Sequence, residues 1–360
     1  MDPSDFDAAG WDERGVLPVS VREDVARSGW FGTDLPAEYG GGGGSQAELG
    51  ELCAEIGAVC SSVRGLVTVQ GMVSAVIARW GNAEQRADWL PALADGAELA
   101  GFAATEPGAG TELSAVDTQL ERAGGLITVT GEKRWVTFGQ AATVFLVLGK
   151  LGGRPATVLV EAGRAGVTTE PVCGQLGLRA AMIAHVRFDG VRVPAGNLLA
   201  PPGFGLSHVT ATALDHGRFT VAWGCAGMAA GCVDDAVGYT ARRHQAGAPL
   251  ARHQLVRSML AGMVVDTTAA RQLCLAAART RDAGEPGAVA ATVMAKYAAA
   301  RTAASASRDA VQLLGSAGCA PDSRAGRFFR DAKVMQIIEG SDQVSELHIA
   351  DHLLRRHRTG

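Results

Sequence analysis

The sequence predicts an α+β chain of three successive parts: a helical domain over residues 1–100, an antiparallel β domain over 101–204, and a four-helix bundle over 205–360. Three observations predict it. Apolar residues recur at helical spacing near both ends of the chain. Between Gly101 and Pro202 they give way to short β-branched runs. The length, 360 residues, exceeds one ordinary core and suits several domains or layers. Because helices and strands are segregated rather than alternating, a doubly wound dinucleotide-binding sheet is excluded.

In the first part, VREDVARSGW, QAELGELCAEIGAV and MVSAVIARWG each carry apolar residues three and four apart. The run Gly40 to Gly44 follows no strand and lacks the Lys-Ser/Thr of a phosphate-binding loop, so it reads as a flexible connector. In the middle part LITVTGEKRWVTF, ATVFLVLGK, ATVLVEA and HVRFDGVRVP are strands broken by Gly and Pro. After Phe204 long helices are expected near Asp215 to Gln245, Ala251 to Arg281 and Gly287 to Leu314, with Pro286 near the start of the last. Short loops between long helices imply a bundle.

Composition narrows the function. With 47% hydrophobic and 19% charged residues the chain is globular rather than disordered. A net charge of −4 with scattered basic residues leaves no electrostatic footprint for nucleic acid. Arg355, Arg356 and Arg358 read as cations favoured at a helix C-terminus. The cysteines Cys53, Cys60, Cys173, Cys225, Cys232, Cys274 and Cys319 are odd in number and form no CxxC pair, so reduced core thiols of a cytoplasmic protein are expected, with neither a disulfide framework nor a zinc site. The acidic start MDPSDFDAAGWDE has no apolar core, and no apolar run is read as long enough to cross a bilayer. No GxGxxG after a strand, HExxH or GxSxG is present, which removes the usual hydride, zinc and serine-hydrolase markers.

Two segments carry chemistry. In GFAATEPGAGT, Gly101 to Thr111, small residues expose backbone donors and let a planar ring approach; the downstream KRWVTF adds the Trp135 face, and Thr105 and Thr137 add hydroxyls. From spacing alone a Trp in a strand such as Trp135 reads more often as a core residue. In QIIEGSDQ, Glu339 stands where Gly340 stops one helix and Ser341 or Asp342 caps the next. Behind Ile337 and Ile338 a desolvated carboxyl would have the raised pKa of a general base, although an exposed glutamate at a helix end fits the same pattern.

Taken together, TEPGAG with K-x-W-V-T, RDAK-x-x-Q-I-x-EG-x-x-Q, and the α-β-α order resemble the acyl-CoA dehydrogenase family, over nearly the whole chain. LPAEYGG, GNAEQRADWLP, FDGVRVP and QLLGSAG add to the resemblance in the same order. It implies FAD bound at Phe102, Ala104, Thr105, Trp135 and Thr137. A neighbouring copy would supply Arg243, Gln254, Gln312, Gly315 and Ser316 to the adenosine diphosphate half, hence a homo-oligomer, and Ser341 and Gln343 complete the cofactor site. Glu339 is implied as the base that takes the α-proton while hydride leaves the β-carbon. Thr111, Asp215, Arg218 and Gly340 match positions along the acyl or pantetheine arm. Some members place the base just before the family arginine, which here is Gly217 before Arg218.

The chain departs from the pattern in a shortened N-terminal segment, in Ala246 where an aromatic is usual, in Ser316 for a glycine, and in Ala181 for a Ser or Thr. Its compact, Ala/Gly/Arg-rich character is similar to the dehydrogenases of methoxymalonyl extender-unit biosynthesis, which implies a glyceryl or hydroxyacyl group on an acyl carrier protein. The alternatives are a short- or branched-chain acyl-CoA dehydrogenase of catabolism, a member of the fold without turnover, and a flavin monooxygenase or nitroalkane oxidase, where aspartate commonly replaces this glutamate.

Overall fold

A computed structural model describes residues 1–359; the side chains of Arg356 and Arg358, in the basic end, lie outside the described residues. The first part is helical: α1 (Ala8–Arg14), α2 (Val19–Arg27), α3 (Gln46–Gly57), α4 (Ser61–Trp80) and α5 (Ala83–Ala94). Capping boxes start two of them. Ser45 exchanges hydrogen bonds with Glu48 at α3, and Asn82 with Gln85 at α5, satisfying donors that a helix start leaves orphaned.

By length and composition α4 could cross a bilayer, contrary to the expectation that no run is long enough; Arg64 and Arg79 interrupt the apolar run in the sequence. In the fold 89% of its most apolar window is buried, between α3, α5, α6 and the sheet, so α4 is a core helix.

The middle part is one sheet: β1 (Ala100–Ala103), β2 (Gln119–Ala123), β3 (Leu126–Val136), β4 (Val144–Leu151), β5 (Arg154–Glu161), β6 (Val167–Pro171), β7 (Ala184–Pro194) and β8 (Leu198–Leu199), in the order β6-β7-β3-β2-β4-β5-β8 with β1 beside β4. Most pairs are antiparallel as expected, but β1 and β2 each run parallel to β4, so the sheet is mixed. The chain between β1 and β4 supplies the long return that parallel neighbours need. Between Lys133 and Val136 the β3–β7 ladder slips at an irregularity that holds Trp135 at φ 60°.

A π-helical turn, Gly205–Thr210, leads into α6 (Ala211–Arg242), followed by the small hairpin β9 (His244–Gln245) and β10 (Ala248–Pro249), then α7 (Gln254–Asp282), α8 (Ala288–Leu314), α9 (Arg324–Met335) and α10 (Asp342–Thr359). Alanine seams let α6 and α8 approach closely through Ala222, Ala226, Ala229, Ala299, Ala303 and Ala306, all buried. Glycine does the same between α3 and α6: a Cβ on Gly227 would stand 1.9 Å from the Ala54 carbonyl oxygen.

Candidate active site

One wall of the site is the joined ends of β1 and β3. The Arg134 N–H donates to the Thr105 carbonyl at 2.8 Å. Beneath this bond lies a buried ion pair that the motif reading missed. Lys133 Nζ donates to Glu106 Oε1 at 2.7 Å, to the Leu148 carbonyl at 2.5 Å and to the Ala104 carbonyl at 3.1 Å. Glu106 also accepts from the Asp117 and Thr118 N–H groups and the Thr118 hydroxyl. Burial pushes the Glu106 carboxyl up, but these donors outweigh it and hold the carboxyl below its usual range. Burial likewise pushes Lys133 down, to about 8, against the pull of Glu106. The glutamate of TEPGAG thus shapes the loop from inside; the sequence signal was a Lys and a Glu bracketing the same β hairpin.

Trp135 settles the choice between core and surface. Its indole is 57% exposed, standing edge-on to His185 with ring centroids 5.5 Å apart. A large apolar ring left open beside half-buried Phe102, Thr105 and Thr137 and small, buried Ala104 is the surface a planar ring would cover. These residues fit the flavin that the motif implies.

The second wall is the turn between α9 and α10. Here the expectation needs correction: α9 ends at Met335, so Glu339 sits in the connecting turn and not at the helix end. Its φ of 55°, followed by 92° at Gly340, is left-handed and cannot continue a helix. Arg218 Nε donates to the Glu339 carbonyl at 2.8 Å, and Lys296 Nζ donates to the Gly340 carbonyl at 2.7 Å. Ser341 Oγ caps α10 by accepting from the Val344 N–H. Glu339 Oε2 is sealed from solvent and has no hydrogen-bond partner. It points at α6, where a Cβ on Gly217 would lie 2.7 Å from it and 3.0 Å from Met72 Sδ. Burial raises the Glu339 carboxyl to about 7, opposed by the positive charges of Arg218, Lys296, Arg64 and His216.

α4 relates the two walls. A Cβ on Gly65 would stand 4.0 Å from Thr137 Cγ2, while Met72 reaches the Gly217–Glu339 contact. Seven residues apart, they share one helix face, about 10 Å along the axis. Between them lies Thr68, bonded to Thr220 of α6 at 3.0 Å and receiving Arg64 Nη1 at 2.9 Å; the second Arg64 amino group meets Met335 Sδ at 3.2 Å. Arg64 is 2% exposed and pairs with no carboxylate among the described residues. Neither Arg64 nor Lys296 was read as functional from the sequence, since a lone cation inside a helical pattern looks like any solvated one.

The remaining candidates fall outside this core. Asp215 takes Arg281 as its partner and helps line a cavity of about 410 Å³ with Asp34, Ser74, Ser207, His216 and Arg281. Thr111 is exposed in the loop after β1. Arg243, Gln254, Gln312, Gly315, Ser316 and Gln343 are all exposed on the bundle, with no hydrogen bond to the Thr105–Trp135 edge among the described contacts. Cys173 and Cys319 are exposed, against the expectation that all the thiols are core residues: Cys173 lies in the loop after β6 and Cys319 ends a short 3-10 turn after α8, whereas the other five sit in or beside packed helices.

Comparison with known proteins identifies the family. Residues 5–97, 101–191 and 203–354 match the models of the N-terminal, middle and C-terminal domains of acyl-CoA dehydrogenase. The mitochondrial short-chain specific acyl-CoA dehydrogenase of Rattus norvegicus is 31% identical over 98% of this chain and 86% of its own. Among solved structures, FkbI, for biosynthesis of the methoxymalonyl extender unit of the Fk520 polyketide, is 38% identical with a TM-score of 0.92, covering 98% of this chain and 97% of that one. Butyryl-CoA dehydrogenase of Megasphaera elsdenii is 28% identical with a TM-score of 0.93, covering 98% and 94%. The chain belongs to the acyl-CoA dehydrogenase family of FAD-dependent oxidoreductases that act on CH–CH groups.

Proposed function

We propose that the chain dehydrogenates an oxygenated acyl thioester, a glyceryl or hydroxyacyl group on an acyl carrier protein, with Glu339 as the base. One observation carries the base: a carboxylate oxygen buried without a partner, on the same side of α4 as Thr137. Phe102, Ala104, Thr105, Trp135 and Thr137 would hold FAD, which when bound supplies the hydride acceptor. Glu339 Oε2 takes the α-proton, and its own backbone N–H, which has no backbone acceptor among the described residues, donates to the thioester carbonyl as enolate charge develops. Arg218 holds the base's carbonyl and so fixes the turn.

Arg64, Thr68 and Thr220 form a buried chain whose donors are spent on one another, on Met335 Sδ and on the His216 and Gly217 carbonyls, so they fix α4 against α6 behind the site. Similarity to FkbI supports the extender-unit role, and the carrier-bound oxygenated acyl group is proposed with it. On a glyceryl thioester, loss of the α-proton and a β-hydride gives an enediol that tautomerises to an aldehyde, so complete retention of the α-hydrogen in product would sink this reading. The exposed apolar residues Leu255, Val264 and Val265 on α7 support a homo-oligomer, in which a second copy would complete the cofactor site with Arg243, Gln254, Gln312, Gly315 and Ser316. We place the protein in the cytoplasm, with electrons passing on to a separate acceptor.

A second reading, a short- or branched-chain acyl-CoA dehydrogenase of catabolism, is favoured by the Rattus relative. Anaerobic spectra separate the two. Glyceryl-loaded carrier protein and a panel of acyl-CoA thioesters are added in turn while the oxidised-flavin band is followed. Bleaching by the glyceryl carrier, abolished in Glu339→Gln, is expected; bleaching by acyl-CoA alone moves the enzyme to catabolism.

A further inference from the structure

The turn that carries Glu339 is gripped from two sides by cations. Lys296 on α8 is wholly buried, yet no carboxylate among the described residues lies within ion-pair distance of its Nζ, and its bond to the Gly340 carbonyl is the polar contact it makes. Burying an ammonium without a counter-ion is costly, and a methionine would fill much the same volume. The groups facing Lys296 are Cys225 and Arg218 on α6, Asp342 on α10, and Glu339 itself. Cys225 is a neutral thiol, pushed up to about 11 by burial. Asp342 accepts from Gln336 Nε2 through one oxygen at 3.0 Å, and its other oxygen is buried without a partner. Arg218 is committed to the Glu339 carbonyl. Consecutive carbonyls of a left-handed pair are therefore held by one cation from α6 and one from α8.

We propose that Lys296 is a positioning residue for the base, which locks the Glu339–Gly340 turn through the Gly340 carbonyl and sets a buried positive charge beside it. The inference rests on Glu339 being the base. Around that carboxyl the apolar surroundings favour the protonated form, and the charges facing it are Arg218 and His216 from α6, Arg64 from α4 and Lys296 from α8. Of these, Arg218 and Lys296 bind the turn itself. Loss of the Lys296 charge leaves Arg218 to hold one carbonyl, and removes one of the forces that oppose desolvation.

The test uses flavin-loaded Lys296→Met and Lys296→Gln, with glyceryl-loaded carrier protein and butyryl-CoA as probes, and reads anaerobic flavin bleaching across pH. Both variants are expected to keep their flavin, to lose about tenfold in rate at neutral pH, and to move the acid limb of the pH–rate profile upward by roughly one unit. Lys296→Gln, whose amide can still donate to Gly340, recovers more of the rate at high pH. A purely structural role lowers flavin content or unfolding midpoint and leaves the limb in place, and that result in either folded variant overturns the proposal. Should neither variant fold, lysine-selective isotope labelling of the wild type decides, the lysines being Lys133, Lys150, Lys296 and Lys333. The Lys296 side-chain resonance must then follow a titration step that Glu339→Gln abolishes, and absence of that step overturns the proposal equally. Undiminished bleaching by Glu339→Gln would instead remove the base assignment on which the inference stands.

Discussion

Glu339→Gln should make the protein more resistant to unfolding at alkaline pH while abolishing turnover. In the unfolded chain this carboxyl titrates near 4.5, and in the folded protein at about 7. Below the lower value both states hold the proton and the residue costs nothing. As pH rises from the unfolded to the folded value, the unfolded state sheds its proton first, so stability is lost through that window and stays lost above it. A difference of roughly 2.5 units corresponds to about 3 kcal/mol. Glu339 as a whole keeps some accessible surface although Oε2 is sealed, so about 2 kcal/mol is the working figure. The glutamine amide is orphaned alike at every pH, so the telling quantity is how the variant's advantage changes between pH 5 and 8.5. For a chain of this length about 2 kcal/mol is roughly 2–3 °C in Tm. Thermal and urea unfolding at fixed protein and flavin concentration measure it. An advantage that stays flat with pH would refute a buried, proton-favouring carboxyl and with it the electrostatic account of the site.

Three further changes probe neighbouring parts. Lys133→Met leaves Glu106 charged and buried without its cation, and should cost about 3–5 kcal/mol in urea unfolding together with flavin content, since the same ammonium ties the loops of both flavin-facing segments. Gly217→Ala drives a methyl group to 2.7 Å from Glu339 Oε2 and 3.0 Å from Met72 Sδ, and should lower kcat by roughly ten- to a hundredfold with flavin retained, as stopped-flow bleaching would show. Arg64→Met removes the donors to Thr68 and Met335 and one of the charges facing Glu339, and should move the acid limb of the pH–rate profile upward; an unmoved limb would detach Arg64 from the Glu339 carboxyl.

What was legible in the sequence was periodicity and punctuation. The change from helical spacing to β-branched runs at Gly101, and back after Phe204, places every layer, because burial of one face imposes a period that residue types must obey. Tight turns also show: Gly340 after Glu339 marks a reversal, although the helix stops four residues earlier than the glycine suggested. Parallel pairing of β1 and β2 with β4 was not legible, since direction depends on how the chain returns and the strand pattern is the same either way.

The candidate site was legible in its motif residues and hidden in the side chains that support them. Glu339, Trp135, Thr105 and Thr137 stand in motifs whose order along the chain is specific, and the structure brings the Trp135–Thr137 edge and Glu339 to one face of α4. Lys296 and Arg64 stand in no motif, and Lys133 opens KRWVTF without its role being visible there, for their meaning comes from being buried, and burial of a long cation is decided by elements far away in sequence. Lys296 reaches a turn 44 residues away, and Arg64 meets the side chain of Met335, 271 residues away. A cation removed from water and given only carbonyls, hydroxyls or sulfur to bind weakens the folded state unless something else restores the balance. For Lys296 the partner charges are on Asp342 and on Glu339 itself. Glu339 loses its own solvation in the same place, so neither the buried cations nor the buried carboxylate makes electrostatic sense alone. On the proposed reading their mutual field opposes the desolvation of the Glu339 carboxyl, which gives a reason for a lysine and not a methionine under Gly340.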